Sequence, residues 1–151
     1  MNMEQNFTVK DDDCVFRILC NTMDEPTDTT VFDDGEIHIE VTTYEGSCLI
    51  QSITCIYAES VEIERYYLHD YTEIEEIKKL PDISFLYNED DILLYLNLLE
   101  TSLDIMLSEC IEAAYYYADG RVEYYYDENM RLLYIKVKNL TAEEYQYFQN
   151  L

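Results

Sequence analysis

The excess of acidic residues is the feature that most restricts how this chain can fold. The sequence has 33 Asp and Glu residues but 9 Lys and Arg residues among 151, which gives a net charge of −24 with both histidines neutral. Ionised carboxylates are almost never fully buried without a partner, so most of them must lie on the surface. Hydrophobic residues make up 48% of the chain, too many for an acidic disordered tail. The length suits one acidic globular domain, residues 1–151.

The charge and the apolar segments also restrict location and partners. Nucleic acids and anionic membranes are polyanions, so direct binding to either is not expected. Met1–Gln5 lacks the features of a signal peptide, and acidic residues interrupt the apolar stretch Ile92–Ala114. The odd number of cysteines and the absence of a Cys-x-x-Cys pair favour reduced thiols. We therefore expect a cytoplasmic protein; its cysteines are Cys14, Cys20, Cys48, Cys55 and Cys110.

Strand-type runs fill the first half of the chain. Asp34-Gly35 separates two of them and is a strong hairpin signal, since both central positions of such a turn need positive φ. From Glu36 to Thr42 apolar and polar residues alternate, which indicates a strand with one buried and one solvated face. Leu49–Tyr57 is mostly apolar, which favours a central strand. The other runs are Thr29–Phe32, Val61–Tyr67, and Phe7–Lys10 and Val15–Leu19, which flank a predicted hairpin loop at Asp11–Asp13.

The middle of the chain has a helical period. Asn88 and the acidic residues Glu89, Asp90 and Asp91 are typical of a helix start, and Asp119-Gly120 is typical of a helix end. Between them, apolar side chains recur at steps of three and four, which predicts one long, largely buried helix. The stripe consists of Ile92, Leu96, Leu99, Leu103, Met106, Cys110, Ala113 and Tyr117.

Two capping-box patterns predict short helices. Thr72–Glu75 opens one that ends near Leu80-Pro81, and Thr141–Glu144 opens one at the end of the chain. Arg121–Tyr126 and Leu132–Val137 form a further hairpin pattern. The predicted fold class is therefore α+β: an antiparallel sheet of five to seven strands packed against one long helix, with two short helices.

No motif identifies a chemical activity. Three glycines leave no phosphate-cradling loop and no nucleophile elbow. His38 and His69 lack metal-type spacing to any cysteine, and the acidic turns fail the ligand spacing of a calcium loop. We expect no enzyme, metal or cofactor, although a small acidic enzyme or ligand-binding domain is an alternative.

The run Tyr124–Tyr126 allows two interpretations. In a strand, Tyr124 and Tyr126 share one face and Tyr125 takes the other. Tyrosine at the margin of a core buries its ring and keeps its hydroxyl in water. Tyrosine at a protein interface supplies rigid contact area. Both interpretations stay open from the sequence.

The density of charge favours a basic partner protein. A compact domain of this length spans about 40 Å, and the same length of duplex DNA carries about 24 charges. We therefore predict an inhibitor that mimics nucleic acid and blocks the basic surface of a CRISPR effector, restriction enzyme or nuclease. The alternative is an immunity protein that neutralises a cognate nuclease toxin. We expect the chain to be a monomer or a dimer. The expected contact residues are Glu36, Glu40, Glu62, Glu64, Glu89, Asp90, Asp91, Tyr124, Tyr125 and Tyr126.

Overall fold

The part of the chain that the structure describes forms two β-sheets and one short helix. The computed structural model describes residues 6–9, 13–47, 49–63, 73–81, 94–108 and 112–151. Within these ranges the strands form a five-stranded and a seven-stranded sheet. No helix in the same ranges has the length and apolar character needed to cross a bilayer.

The five-stranded sheet is antiparallel throughout, in the order β1-β2-β5-β4-β3. Its central strand β5 is the mostly apolar run predicted to be central. The β1–β2, β3–β4 and β4–β5 connections join neighbours, which is the arrangement that short loops favour. The strands are β1 Phe7–Val9, β2 Phe16–Leu19, β3 Thr27–Asp33, β4 Ile37–Tyr44 and β5 Ile50–Ala58.

The seven-stranded sheet has the order β6-β8-β9-β12-β11-β10-β7. The two edge strands β6 and β7 pair in parallel with β8 and β10, and the other neighbours are antiparallel. The strands are β6 Glu62–Ile63, β7 Glu75–Ile77, β8 Tyr95–Leu98, β9 Leu103–Met106, β10 Tyr115–Asp119, β11 Val122–Tyr126 and β12 Leu132–Val137.

One apolar core joins the two sheets. Ile39 and Ile53 of the first sheet and Ile105 and Ile135 of the second belong to this core, and all four are fully buried. Removing this apolar area from water is the main favourable term in folding.

The opposite face of the seven-stranded sheet is also buried in its middle. Tyr134 stacks on Tyr125 with ring centroids 4.5 Å apart, and Tyr125 stacks on Tyr116 at 5.6 Å. Because these tyrosines lie side by side on β12, β11 and β10, they form a cross-strand aromatic row.

The C-terminal helix α1, Ala142–Gln149, forms as its capping box predicts. The Thr141 hydroxyl accepts from the Glu144 amide, and the Glu144 carboxylate accepts from the Thr141 amide. Phe148 packs against Phe7 and Phe16 of the common core. The helix therefore covers an end of this core near β1 and β2.

The predicted α+β fold is wrong, since the described residues are mostly β-strand and contain one short helix, at the C-terminal end. Three strands, β8, β9 and β10, occupy the segment predicted to be a long helix. The residues of β8 and β9 are buried on both faces, so the apolar pattern there does not alternate as it does in a half-exposed strand. Part of the apolar stripe, Ile92 and Cys110, and the expected N-terminal residues Asn88–Asp91 lie outside the described residues.

The prediction of a short helix that opens at Thr72–Glu75 is also wrong. Glu75–Ile77 is strand β7, which pairs with Tyr115–Tyr117 of β10. Here pairing with the sheet overrides the local helix-start signal. Thr72 itself lies outside the described residues.

The predicted hairpins are confirmed. Strands β1 and β2, β3 and β4, and β11 and β12 pair as antiparallel neighbours. Gly35 has φ of +90°, a value that favours glycine, but Asp34 does not have positive φ, so the hairpin forms without the predicted turn geometry. On β4, Ile37, Ile39 and Val41 are buried while the residues between them are partly exposed, as the alternation predicts.

Candidate functional site

Acidic residues without basic neighbours are concentrated in one part of the fold. Residues 18–64 contain eleven Asp and Glu and no Lys or Arg. This segment supplies β3, β4 and β5, three adjacent strands of the five-stranded sheet. Arg17 is the one basic residue on the described strands of this sheet, and it lies on β2, where its Nε donates to Thr54. This segment of the chain therefore carries far more negative than positive charge.

Most described basic side chains pair with carboxylates elsewhere. These pairs neutralise acids of the seven-stranded sheet, of its turns and of α1. None of these five pairs includes a carboxylate of β3 or β4, where Asp33 and Glu40 instead contact His38. The pairs are Lys78–Glu76, Arg121–Glu144, Arg131–Asp127, Lys136–Asp104 and Lys138–Glu123.

The turn between β3 and β4 is built by its own acidic side chains. The Asp33 carboxylate accepts from the Gly35 amide at 2.8 Å, and the Asp34 carboxylate accepts from the Glu36 and Ile37 amides at 2.9 Å each. Such side-chain-to-backbone bonds are the reason why Asp favours turns. The Gly35 amide, and after it His38, holds the pKa of Asp33 below its usual value. Asp33 and Asp34 thus have a structural role as well as a charge.

Two further acids and a tyrosine complete this end of the sheet. The Glu59 amide donates to the Glu36 carbonyl at 2.7 Å, which places the start of the β5–β6 connection beside the turn. The Tyr57 hydroxyl donates to the Gly35 carbonyl and the Glu59 carboxylate at 3.4 and 3.5 Å. We call Asp33, Asp34, Glu36, Glu59 and Tyr57 the acidic turn.

Tyr57 is the exposed aromatic residue of the acidic turn, with 44% of its surface accessible. Desolvation and the carboxylates of Glu59, Asp33 and Glu36 raise the pKa of Tyr57. Its hydroxyl therefore stays protonated and remains a hydrogen-bond donor. A ring beside several carboxylates suits the guanidinium group of arginine, which stacks on aromatic faces and pairs with carboxylates.

His38 lies next to the acidic turn, between two carboxylates on the solvated face. Its Nδ1 is 3.0 Å from the Asp33 carboxylate and its Nε2 is 3.1 Å from the Glu40 carboxylate. The hydrogen bond to Glu40, followed by that to Asp33, raises the pKa of His38 above its usual value. Protonation of His38 therefore offsets part of the local negative charge as the pH falls.

The predicted acidic contact residues do not lie on one face. Glu36 belongs to the acidic turn, and Glu40 lies beside His38 on the same sheet. Glu62, in contrast, lies on β6 of the seven-stranded sheet, so it does not continue a row from Glu36 and Glu40. Glu64 and Glu89–Asp91 lie outside the described residues.

Tyr124, Tyr125 and Tyr126 are buried, at 0%, 5% and 0% exposure. One face of strand β11 packs into the common core, and on the other face Tyr125 stacks between Tyr116 and Tyr134 of the neighbouring strands. Tyr124 and Tyr126 belong to the common core, and Tyr125 belongs to the aromatic row. These rings pack the interior of the folded chain and are not available as surface anchors.

Sequence reasoning missed Tyr57 as a candidate contact residue. It lies at the end of an apolar run that indicates a buried strand, and tyrosine is usual there. A register shift between β4 and β5 near His38 brings Tyr57 opposite this residue on the solvated face. The absence of Lys and Arg from residues 18–64 is the signal that could have directed attention to this sheet.

A second candidate site is a cleft of about 450 Å³ that includes Cys20, Asn6 and Asp119. The Cys20 sulfur is 3.0 Å from the Tyr124 hydroxyl, and burial raises the pKa of Cys20 to about 12. A thiol with this pKa is protonated at neutral pH and is a poor nucleophile. Cys14 and Cys55 are reduced cysteines as well, while Cys48 and Cys110 lie outside the described residues.

Comparison with known proteins assigns no family. No protein-family model matches the chain, and a search of curated proteins found no significant relative.

Proposed function

We propose that this chain is an acidic inhibitor that covers the positively charged nucleic-acid-binding surface of a target protein. The target class is a CRISPR effector, a restriction enzyme or another nuclease. The observation that carries the proposal is the separation of charge: residues 18–64, which supply β3, β4 and β5, contain eleven Asp and Glu and no Lys or Arg.

Two steps would bring the proteins together. Complementary charge accelerates encounter and orients the acidic sheet toward a basic groove. Close contact then adds the acidic turn, where Tyr57 offers exposed aromatic area beside Glu36 and Glu59. Exposed aromatic residues and their arginine partners are enriched among residues that dominate binding energy.

The test is capture of partners from a bacterial lysate with immobilised protein, followed by identification of the captured proteins. The proposal expects nucleic-acid-binding proteins with basic grooves, which added duplex DNA displaces. Binding should weaken between about 0.1 M and 0.5 M salt, because the screening length falls about twofold. Captured proteins that lack basic grooves, or that duplex DNA fails to displace, would contradict the proposal.

A matched pair of variants locates the contact surface. Glu36→Lys/Glu59→Lys reverses two exposed charges at the acidic turn, and Glu100→Lys/Glu128→Lys reverses two exposed charges in turns of the other sheet. Both variants change the net charge by the same amount. The first should weaken binding to the captured target by more than about tenfold, or 1.4 kcal/mol, and the second should have a much smaller effect. Equal losses would show that total charge matters and that the acidic turn is not the contact.

A further inference from the structure

Strand β3 is an open edge of the five-stranded sheet. It pairs with β4 on one side, and no described strand pairs with its other side. Six of its seven residues are exposed, and only Phe32 is buried. An edge of this kind presents unpaired backbone N–H and C=O groups to any extended chain that approaches it.

The hydrogen bonds at its two ends show which backbone groups point outward. The Pro26 carbonyl accepts from the Glu45 amide at 2.8 Å, and the Asp34 amide donates to the Ile37 carbonyl at 3.3 Å. The pairs between them alternate in an antiparallel ladder, so the even-numbered residues of β3 bond to β4. The residues that direct their N–H and C=O groups to the open side are Thr27, Thr29, Val31 and Asp33.

Strand β3 lacks most features that usually protect an edge. Its ladder with β4 runs over seven consecutive pairs without a register shift. The strand contains no Lys and no Pro, and Pro26 lies before its first residue. Proteins commonly use inward charges, Pro, bulges or very short strands to prevent pairing at an edge. A regular seven-residue edge can therefore accept another strand.

The charge around β3 selects the partner. Asp28 and Asp33 lie on the strand, Asp24 and Glu25 precede it, and Asp34 follows it. A second copy of this chain would bring the same carboxylates against these, and like charges on adjacent strands are destabilising. An extended segment with Lys or Arg at alternate positions would instead place opposite charges about 5 Å from Asp28 or Asp33.

We propose that the open edge of β3 is a strand-addition site for an extended, Lys- or Arg-rich segment of the target. This proposal rests on the proposed function and adds the way in which the target is held. Backbone hydrogen bonds from Thr29 and Val31 would supply the geometry, and the neighbouring carboxylates would supply selectivity for basic sequences.

A synthetic peptide tests the edge without the target. The probe is an acetylated and amidated heptapeptide that alternates Lys and Thr, and hydrogen exchange at single amides is followed by NMR. Saturating peptide should slow exchange at Thr29 and Val31 by more than about tenfold, because their amides become hydrogen-bonded. The amides of Thr30 and Phe32 already bond to β4 and should change much less. A peptide with Glu in place of Lys should have no effect.

Proline at one outward position separates strand addition from charge attraction. Val31→Pro removes an N–H that points to solvent, a position at which edge strands tolerate proline. Val31→Thr keeps the N–H and the branched shape. We expect Val31→Pro to weaken binding of the Lys/Thr peptide by more than about tenfold and Val31→Thr to change it less than about threefold. The amide spectrum of the β4 and β5 residues shows that each variant keeps the sheet.

Three results would overturn the proposal. They are equal peptide affinity for Val31→Pro and Val31→Thr, protection confined to residues outside β3, and protection of β3 that rises with protein concentration in the absence of peptide. The last result would show pairing between copies of the chain. If the acidic-turn reversal abolishes binding to the captured target while Val31→Pro does not, the edge proposal fails and the proposed function stands. If the peptide protects β3 but no nucleic-acid-binding protein is captured, the proposed function fails, while strand addition of a basic segment at β3 stands.

Discussion

Replacing Lys136 with Met should destabilise the protein strongly, because it removes the lysine that pairs with the buried carboxylate of Asp104. The Lys136 ammonium group is 2.7 Å from the carboxylate of Asp104, which is fully buried. Asn97 also approaches this carboxylate, at 3.4 Å. Burial raises the pKa of Asp104 even though Lys136 and Asn97 oppose the shift. Without the lysine, Asp104 must either stay ionised in the interior or take up a proton.

Both outcomes have a calculable cost. Breaking a buried pair by removing one partner costs about 3–5 kcal/mol. Protonation at pH 7 costs about 4 kcal/mol, since an unfolded Asp has a pKa near 3.9 and each pH unit is worth 1.36 kcal/mol. We therefore expect Lys136→Met to lose about 3–4 kcal/mol of unfolding free energy at pH 7. Protonation becomes easier as the pH falls, so the loss should shrink to about 1.5 kcal/mol at pH 5.

Urea unfolding followed by circular dichroism measures these values. The double variant Asp104→Asn/Lys136→Met is the control, because it removes both charges and should recover most of the lost stability. The reasoning is refuted if Lys136→Met costs less than about 1 kcal/mol at pH 7, or if its loss is as large at pH 5.

Three further predictions concern His38, Gly35 and Cys20. The pKa of His38 is raised by Glu40 and Asp33, so its contribution to stability is fully present below the unfolded pKa and is lost as the pH rises through the folded pKa. His38→Gln should therefore cost more stability near pH 5 than near pH 9 in thermal unfolding, and the opposite order would contradict the assignment. Gly35→Ala places a side chain at a φ of +90° and should lower the unfolding free energy by about 1–2 kcal/mol in urea titrations, so an unchanged midpoint would argue against this turn. Cys20 is partly buried and has a raised pKa, so it should react with a thiol reagent at least about tenfold more slowly in the native than in the unfolded protein near pH 8, and equal rates would contradict the raised pKa.

Local signals in the sequence were sufficient where one or two residues set the structure. Asp34-Gly35 identifies the β3–β4 hairpin because the turn needs a glycine conformation and an Asp acceptor. Thr141 and Glu144 identify the start of α1 because each side chain bonds to the other residue's amide. These features depend on contacts within four residues of sequence.

The prediction of a long helix is wrong because burial on both faces removes the alternation of apolar and polar residues that marks a strand. In β8, Leu96 and Leu98 face the common core while Tyr95 and Asn97 face the other side, and all four are buried. Leucines spaced by three and four residues across β8 and β9 then resemble a helical stripe. The partners that make these segments strands lie on β6 and β12, and a pattern within one segment does not contain them.

The surface position of the expected contact residues was only partly predictable from the sequence, and their role in binding stays a prediction. The charge excess predicts a basic partner, which stays a prediction, and Glu36 lies on an exposed acidic turn. A run of tyrosines such as Tyr124–Tyr126 is compatible with a protein interface and with the margin of a core, so the sequence does not separate the two. Their burial depends on β11 lying between β10 and β12, and the exposure of Tyr57 depends on a register shift between β4 and β5. Both are properties of sheet topology.

Displacement of nucleic acid from a purified target tests the central claim most directly. A fluorescent DNA duplex is bound to a nuclease captured by this protein, and the release of DNA is followed by anisotropy as the protein is added. The account predicts complete release at stoichiometric protein, release by Glu100→Lys/Glu128→Lys at similar concentrations, and a shift of more than about tenfold for Glu36→Lys/Glu59→Lys. A ternary complex in which the duplex stays bound at saturating protein would contradict it.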